Sequence, residues 1–220
     1  MGSDLKYLAV LAAIWLLLKF MPGDLWARLI MAVLGRRGLE GVGRVAMSAQ
    51  PDTITLVPRT QGPGRPEAKS ALEQLQRRGF ARAGSFGVRE MKDLPVHFMV
   101  KPGESAIAVV YEHPQVGVWC DIVSRYQNGG SWLITNAKAG GGLEDRPGHV
   151  KVRAPGLTAT AMHLRFVRER PVGDLVSVPA TSVATCFADA YAEEMAWRKG
   201  KGLAAAEVRS AGMEPWRRSA

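Results

Sequence analysis

Three strand-length runs between Ser105 and Thr135 constrain the fold more than any other part of the chain. They read Ser105-Ala-Ile-Ala-Val-Val-Tyr111, Val116-Gly-Val-Trp-Cys-Asp-Ile-Val123 and Ser131-Trp-Leu-Ile-Thr135. Each is rich in β-branched and aromatic residues, and each is bounded by turn formers. Glu112-His113-Pro114 makes the first break and Gln127-Asn128-Gly129-Gly130 the second. Asn128-Gly129 is the strongest short hairpin signal available, because both residues tolerate positive φ.

Alternation assigns the faces. Ile107, Val109 and Tyr111 point one way, and Ala106, Ala108 and Val110 the other. In the second run Val116, Val118, Cys120 and Ile122 share a face, with Trp119, Asp121, Val123 and Arg125 opposite. Both faces of these two strands are largely apolar, which places them centrally under helices. The third run is shorter and reads as nearer an edge. Thr53–Val57, Ser85–Arg89, Val96–Lys101 and Val150–Arg153 are further strand candidates. The expected fold is α+β: an antiparallel sheet of about five strands with helices on one face, preceded by an N-terminal membrane anchor helix.

The anchor reading rests on Leu5–Met21. Tyr7 to Leu18 is unbroken apolar sequence containing Trp15, bracketed by Lys6 and Lys19. With both lysines snorkelling, the usable span is about 17 residues, or roughly 25 Å. No small-residue cleavage site follows, so an uncleaved anchor over residues 1–22 is preferred to a cleaved signal or a buried helix. Pro22-Gly23 breaks it, and Asp24 can cap a second segment, 23–37, with Trp26, Leu29, Ile30 and Val33 on one face. That segment reads as an interfacial helix, with Arg28, Arg36 and Arg37 toward anionic headgroups. The residues expected to touch membrane are Tyr7, Trp15, Lys19, Trp26, Arg28, Arg36 and Arg37. One basic residue precedes the anchor and five follow between Lys19 and Arg44, which places the C-terminal part in the cytoplasm of a single-pass inner-membrane protein.

Beyond the anchor, 38–65 reads as a linker, 66–200 as the globular domain and 201–220 as a basic tail. Glu67–Arg78 carries an Ala68, Ala71, Leu72, Leu75 stripe between Pro66 and Gly79, the pattern of an amphipathic helix. Thr158 can cap a helix to Arg170, and Thr181 another to about Lys199. The longest irregular stretch follows Asn136 and contains Gly140-Gly141-Gly142. It lacks the lysine and strand–helix context of a phosphate loop.

The formal charge of +9 suggests an anionic surface, and the anchor makes that surface lipid first. Nucleic acid is disfavoured, because few aromatics are interleaved with the arginines from Arg77 to Arg170. Cys120 and Cys186 stand outside any zinc pattern and read as structural thiols. Chemistry-bearing residues gather loosely in Glu112, His113, Asp121, Glu144, Asp145 and His149. If the two loops met, His113 and His149 with Asp121 and Glu144 would supply acid–base groups. No spacing enforces that, and no cofactor or metal is indicated.

One resemblance is carried by Gly79-Phe80, Gly84-Ser-Phe86, Glu90-Met91, Ala108-Val-Val-Tyr-Glu-His-Pro114, Gly117-Val-Trp119, Arg125-Tyr126, Thr135-Asn136 and Arg146-Pro-Gly-His149. Over about residues 67–170 the chain resembles a group of uncharacterised bacterial proteins that often carry an N-terminal hydrophobic segment. The resemblance implies a shared fold and no known reaction. The preferred expectation is a membrane-anchored, non-catalytic accessory or binding subunit, partnered by lipid headgroups and a protein of a membrane complex. The alternatives are a membrane-tethered hydrolase using His113 and His149, and a polyanion-binding protein.

Overall fold

The computed structural model describes residues 47–138, 144–202 and 207. The expected anchor, the interfacial helix, their membrane-contacting residues and most of the basic tail lie outside the described residues. No helix among the described residues is long and apolar enough to cross a membrane.

Eight strands form one sheet: β1 (Leu56–Pro58), β2 (Ala81–Val88), β3 (Leu94–Lys101), β4 (Ala106–His113), β5 (Gly117–Tyr126), β6 (Ser131–Thr135), β7 (His149–Arg153) and β8 (Leu175–Val176). Among the described residues the complete α-helices are α1 (Pro66–Arg77), α2 (Ala159–Glu169) and α3 (Val183–Lys201). The first seven strands lie side by side in chain order. Every pair is antiparallel except β6–β7. The fold is therefore α+β with a mostly antiparallel sheet, larger than the five strands expected. All seven runs recognised by composition join it. β8 has two residues, too few to show a period, and completes the overhang where β5 outruns β4 (Arg125 with Val176, Tyr126 with Leu175).

Two placements differ from expectation for topological reasons. β6 is interior, because β7 pairs along its outer side. A parallel neighbour needs a crossover of about a dozen residues, and the chain between Thr135 and His149 is long enough to make that connection. The segment expected to be a linker, 38–65, contributes β1 and buries Ile54 in the core, so sheet and core begin before residue 66.

Helices cover both faces, not one. On the first face Ala68, Leu72 and Leu75 of α1 and Met162 and Phe166 of α2 pack on Met99, Ala108, Val110, Cys120, Ile122 and Ile134. Ala106 and Ala108 keep that face of β4 shallow, which lets the helices lie close. On the second face Val96, Phe98, Val100, Ile107 and Val109 would stand in water without a cover, and α3 supplies it through Val183, Phe187 and Tyr191. Phe187 meets Phe98 edge to face, with ring centroids 5.1 Å apart. Thr158 caps α2 as expected, its hydroxyl accepting from the Ala161 N–H at 3.3 Å. α3 starts at Val183 behind Ser182, with no side-chain cap.

The β5–β6 hairpin turns where expected. Gly129 has φ +84°, and the Asn128 side-chain oxygen accepts from the Gly130 N–H at 3.0 Å. Register shifts between Arg82 and Gly84 of β2, where Gly84 has φ +138°. A side chain at Gly84 would run into the Phe86 ring, 2.7 Å from an added Cβ, so this bulge requires glycine.

Candidate ligand cavity

The odd-numbered positions of β4 and β5 and their neighbours on β6 and β7 face α3. Register aligns them in rows. Tyr111 lies opposite Trp119; Val109, Asp121 and Thr135 form the next row; Ile107, Val123, Leu133 and Lys151 the next; Arg125, Ser131 and His149 the last. Between these rows and α3 lies a cavity of about 520 Å³, within the ~300–1,000 Å³ usual for small-molecule sites. Its walls are chiefly apolar: Val88, Leu94, Val96, Ile107 and Val109 on the sheet, Val183, Phe187, Ala190 and Tyr191 on α3. Tyr111 and Trp119 stack at 4.6 Å with planes 10° apart and form an aromatic wall.

Two polar features interrupt that lining. The first is Asp121. Its Oδ1 is shielded from solvent and has no hydrogen-bond partner, the one such buried side-chain atom among the described residues. Burial pushes its carboxyl above the usual carboxylate range, against the smaller opposing pull of the Thr135 and Tyr111 hydroxyls and the charges of Lys151 and Arg153. Burial and the neighbouring Asp121 charge raise the Tyr111 phenol in turn.

The second feature is the basic end of the cavity. Arg146 Nη2 donates to His149 Nε2 at 2.5 Å and to Glu193 Oε2 at 3.0 Å. Arg125 Nη2 stands 4.0 Å from the same Glu193 oxygen, and its Nη1 donates to Cys186 Sγ at 3.0 Å. Two guanidinium groups therefore share one carboxylate oxygen, supplied by a residue whose side chain is 50 % exposed. A guanidinium can only donate, so His149 Nε2 is the acceptor and Nδ1 carries the proton, donated to Ser131 Oγ at 2.8 Å. Burial, then Arg146, lowers the His149 pKa below its ordinary value, outweighing Glu194 and Glu193.

The expected acid–base group is not assembled. His113, Asp121 and His149 all line this cavity, but at different stations. His113 pairs with Gly117, whereas His149 joins the row of Arg125. Eight residues of β5 separate those rows, about 26 Å at ~3.3 Å per residue. His113 Nδ1 accepts from the N–H groups of its own turn, Gln115 at 3.1 Å and Val116 at 3.0 Å. Glu144 is outside the cavity lining and pairs with Lys201 at 2.5 Å. No group of three His, Cys, Asp or Glu able to hold a metal occurs among the described residues.

Cys120 and Cys186 lie on opposite faces of the sheet, Cys120 under α1 and α2 and Cys186 beneath α3, so they do not pair. Burial pushes the Cys120 thiol far up, the mark of an inert thiol.

A different chain of polar groups was missed in the sequence. Ser85 Oγ meets His97 Nδ1 at 2.8 Å, and His97 Nε2 meets Glu112 Oε1 at 2.6 Å. The order resembles a nucleophile–base–acid relay. Its setting is structural: Ser85 lines neither large cavity. Glu112 also accepts from the N–H groups of Gly64 at 3.1 Å and Arg65 at 2.7 Å, just before α1. The carboxylate thus caps a helix start from a distant strand. The signal was parity, since His97 and Glu112 occupy inward positions beside Met99 and Val110. Arg125 was readable in the same way, on the Asp121 face; Arg146 was not, because only the crossover brings it there.

The arginines mostly serve the fold. Arg78 donates to His163, Arg165 and Arg168 hold Glu169, and Arg170 donates to Glu104 O and Ser124 Oγ.

A scan against family models and searches of curated proteins and of solved structures found no match to this chain. The functional reading is carried by the cavity and its polar ends.

Proposed function

We propose that this chain is a membrane-tethered, non-catalytic binding protein whose cavity takes up an amphipathic acid. The observation that carries the reading is a chamber of about 520 Å³ with apolar walls and two guanidinium groups at one end. Apolar walls favour a hydrocarbon body, and Arg125 and Arg146 favour an anionic head. Glu193 is the internal carboxylate that such a head would replace. Its exposed ion pairs contribute little stability and are readily exchanged. The apolar run Leu5–Met21 would hold the domain at a bilayer, and the basic residues after it favour the cytoplasmic face, among anionic headgroups and a protein partner of a membrane complex. That position suits a ligand supplied from lipid. The separation of His113 from His149 favours binding over hydrolysis. The engagement of the arginines in internal contacts favours a lipid-derived ligand over a polyanion.

Cys186 lines the cavity and reports on it directly. The full chain in lipid nanodiscs is labelled with N-ethylmaleimide, and modification of Cys186 is followed by peptide mass spectrometry. Decanoate should slow the labelling of Cys186. In Ala190→Trp, where the new ring fills the cavity, labelling should no longer respond to decanoate. A Cys186 rate indifferent to decanoate in the wild-type chain would overturn the proposal.

A further inference from the structure

Asp121 is hard to explain as part of the fold. Its Oδ1 is buried without a partner, a costly condition that native interiors rarely keep. The hydroxyls of Tyr111 and Thr135 act on the carboxyl but leave Oδ1 unpaired, and Val109, beside it in the row, is apolar. A valine here would suit the strand between Trp119 and Val123. Asp121 lines the cavity, on the same side of β5 as Arg125. Four residues separate the two, about 13 Å along the strand.

We infer that Asp121 is a specificity group that binds a hydroxyl on the ligand's hydrocarbon chain, so that the ligand is a hydroxylated amphipathic acid. The inference rests on the proposed cavity function and deepens it. With the acid head at Arg125 and Arg146, a chain lying along β5 passes Asp121 roughly ten carbon atoms from the head. A hydroxyl there donates to the orphaned oxygen when the carboxyl is ionised and accepts from it when it is protonated, so one group serves both states. An unsubstituted chain leaves that oxygen unpaired and forgoes the hydrogen bond that a hydroxylated chain makes, which sets plain acids at a disadvantage.

The test compares decanoate with ω-hydroxydecanoate, whose chain length matches the span. Apparent affinities come from the protection of Cys186 in the full chain in nanodiscs. The wild-type chain should prefer ω-hydroxydecanoate by about tenfold or more. In Asp121→Val that preference should vanish or reverse, while decanoate binds at least as tightly as to wild type. Thermal melts followed by circular dichroism show that Asp121→Val is folded, so a lost preference reports recognition rather than unfolding. If both acids protect Cys186 equally in wild type, the role of Asp121 is refuted and the cavity reading stands. If the preference survives in Asp121→Val, another group reads the hydroxyl and the inference is refuted. If neither acid protects Cys186, both proposals fall.

Discussion

Replacing Glu112 by leucine tests how the segment before α1 is held to the sheet. The Glu112 side chain is 5 % exposed. It accepts from three separate donors: His97 Nε2, Gly64 N–H and Arg65 N–H. The backbone groups can only donate to it. His97 therefore donates from Nε2 and leaves Nδ1 to accept from the Ser85 hydroxyl. Leucine strands all three donors. His97, 2 % exposed, has no water to turn to and costs about 1–3 kcal/mol. The two N–H groups lie nearer the surface and lose a helix cap of about 1 kcal/mol together. The sum is about 2–4 kcal/mol, or a fall of roughly 5–15 °C in melting temperature for a domain of this size. Glutamine is the informative control. Its oxygen can face Gly64 and Arg65, its amide can donate to His97, and the imidazole can switch tautomer and donate to Ser85. Only the charge assistance is lost, about 1 kcal/mol. Thermal unfolding of the full chain in a nonionic detergent, followed by circular dichroism, ranks the three proteins. A leucine variant as stable as wild type, or a glutamine variant as damaged as leucine, would refute the reasoning.

Three further outcomes are expected. Gly129→Val should cost about 1–2 kcal/mol in a urea melt from positive φ alone, since nothing stands within 4 Å of an added Cβ; an unchanged midpoint would place the strain elsewhere. Burial holds the pKa values of His163 and His149 below the ordinary 6.5. Both therefore contribute stability that is complete above about pH 6.5 and is lost as pH falls toward their folded values, so the unfolding midpoint should drop between pH 7 and 5. His163→Gln should flatten that slope, and a pH-independent wild type would contradict it. Under native conditions N-ethylmaleimide should modify Cys186 and spare Cys120, and oxidants should not join them; a Cys120–Cys186 disulfide would require the sheet to open.

The faces of the central strands were legible because successive side chains of a strand alternate. Ile107, Val109 and Tyr111 lie toward α3, and Ala106, Ala108 and Val110 toward α1 and α2, as alternation requires. The two-sided apolar character of these strands also implied cover on both faces, yet the expectation stopped at one. α3 was expected as a helix, but the face it covers was not legible, because its apolar residues do not form a single clean stripe: it roofs a partly empty chamber rather than a filled core. β8 was invisible, since two residues carry no pattern. The cavity was half legible. Asp121 and Arg125 share a face by simple alternation, whereas Arg146, His149 and Glu193 join them only through the parallel placement of β7 and the docking of α3. His113 and His149 were grouped by residue type alone. Strand register sets them at opposite ends of β5.

Photo-crosslinking addresses the cavity most directly. The full chain in nanodiscs is irradiated with decanoate carrying a terminal diazirine, and adducts are located by peptide mass spectrometry. The cavity reading expects adducts on β4, β5 and α3 side chains that face the chamber, among them Tyr111, Trp119 and Phe187, and their suppression by excess ω-hydroxydecanoate or by Ala190→Trp. Adducts that avoid these walls, or that persist unchanged when the chamber is filled, would contradict it.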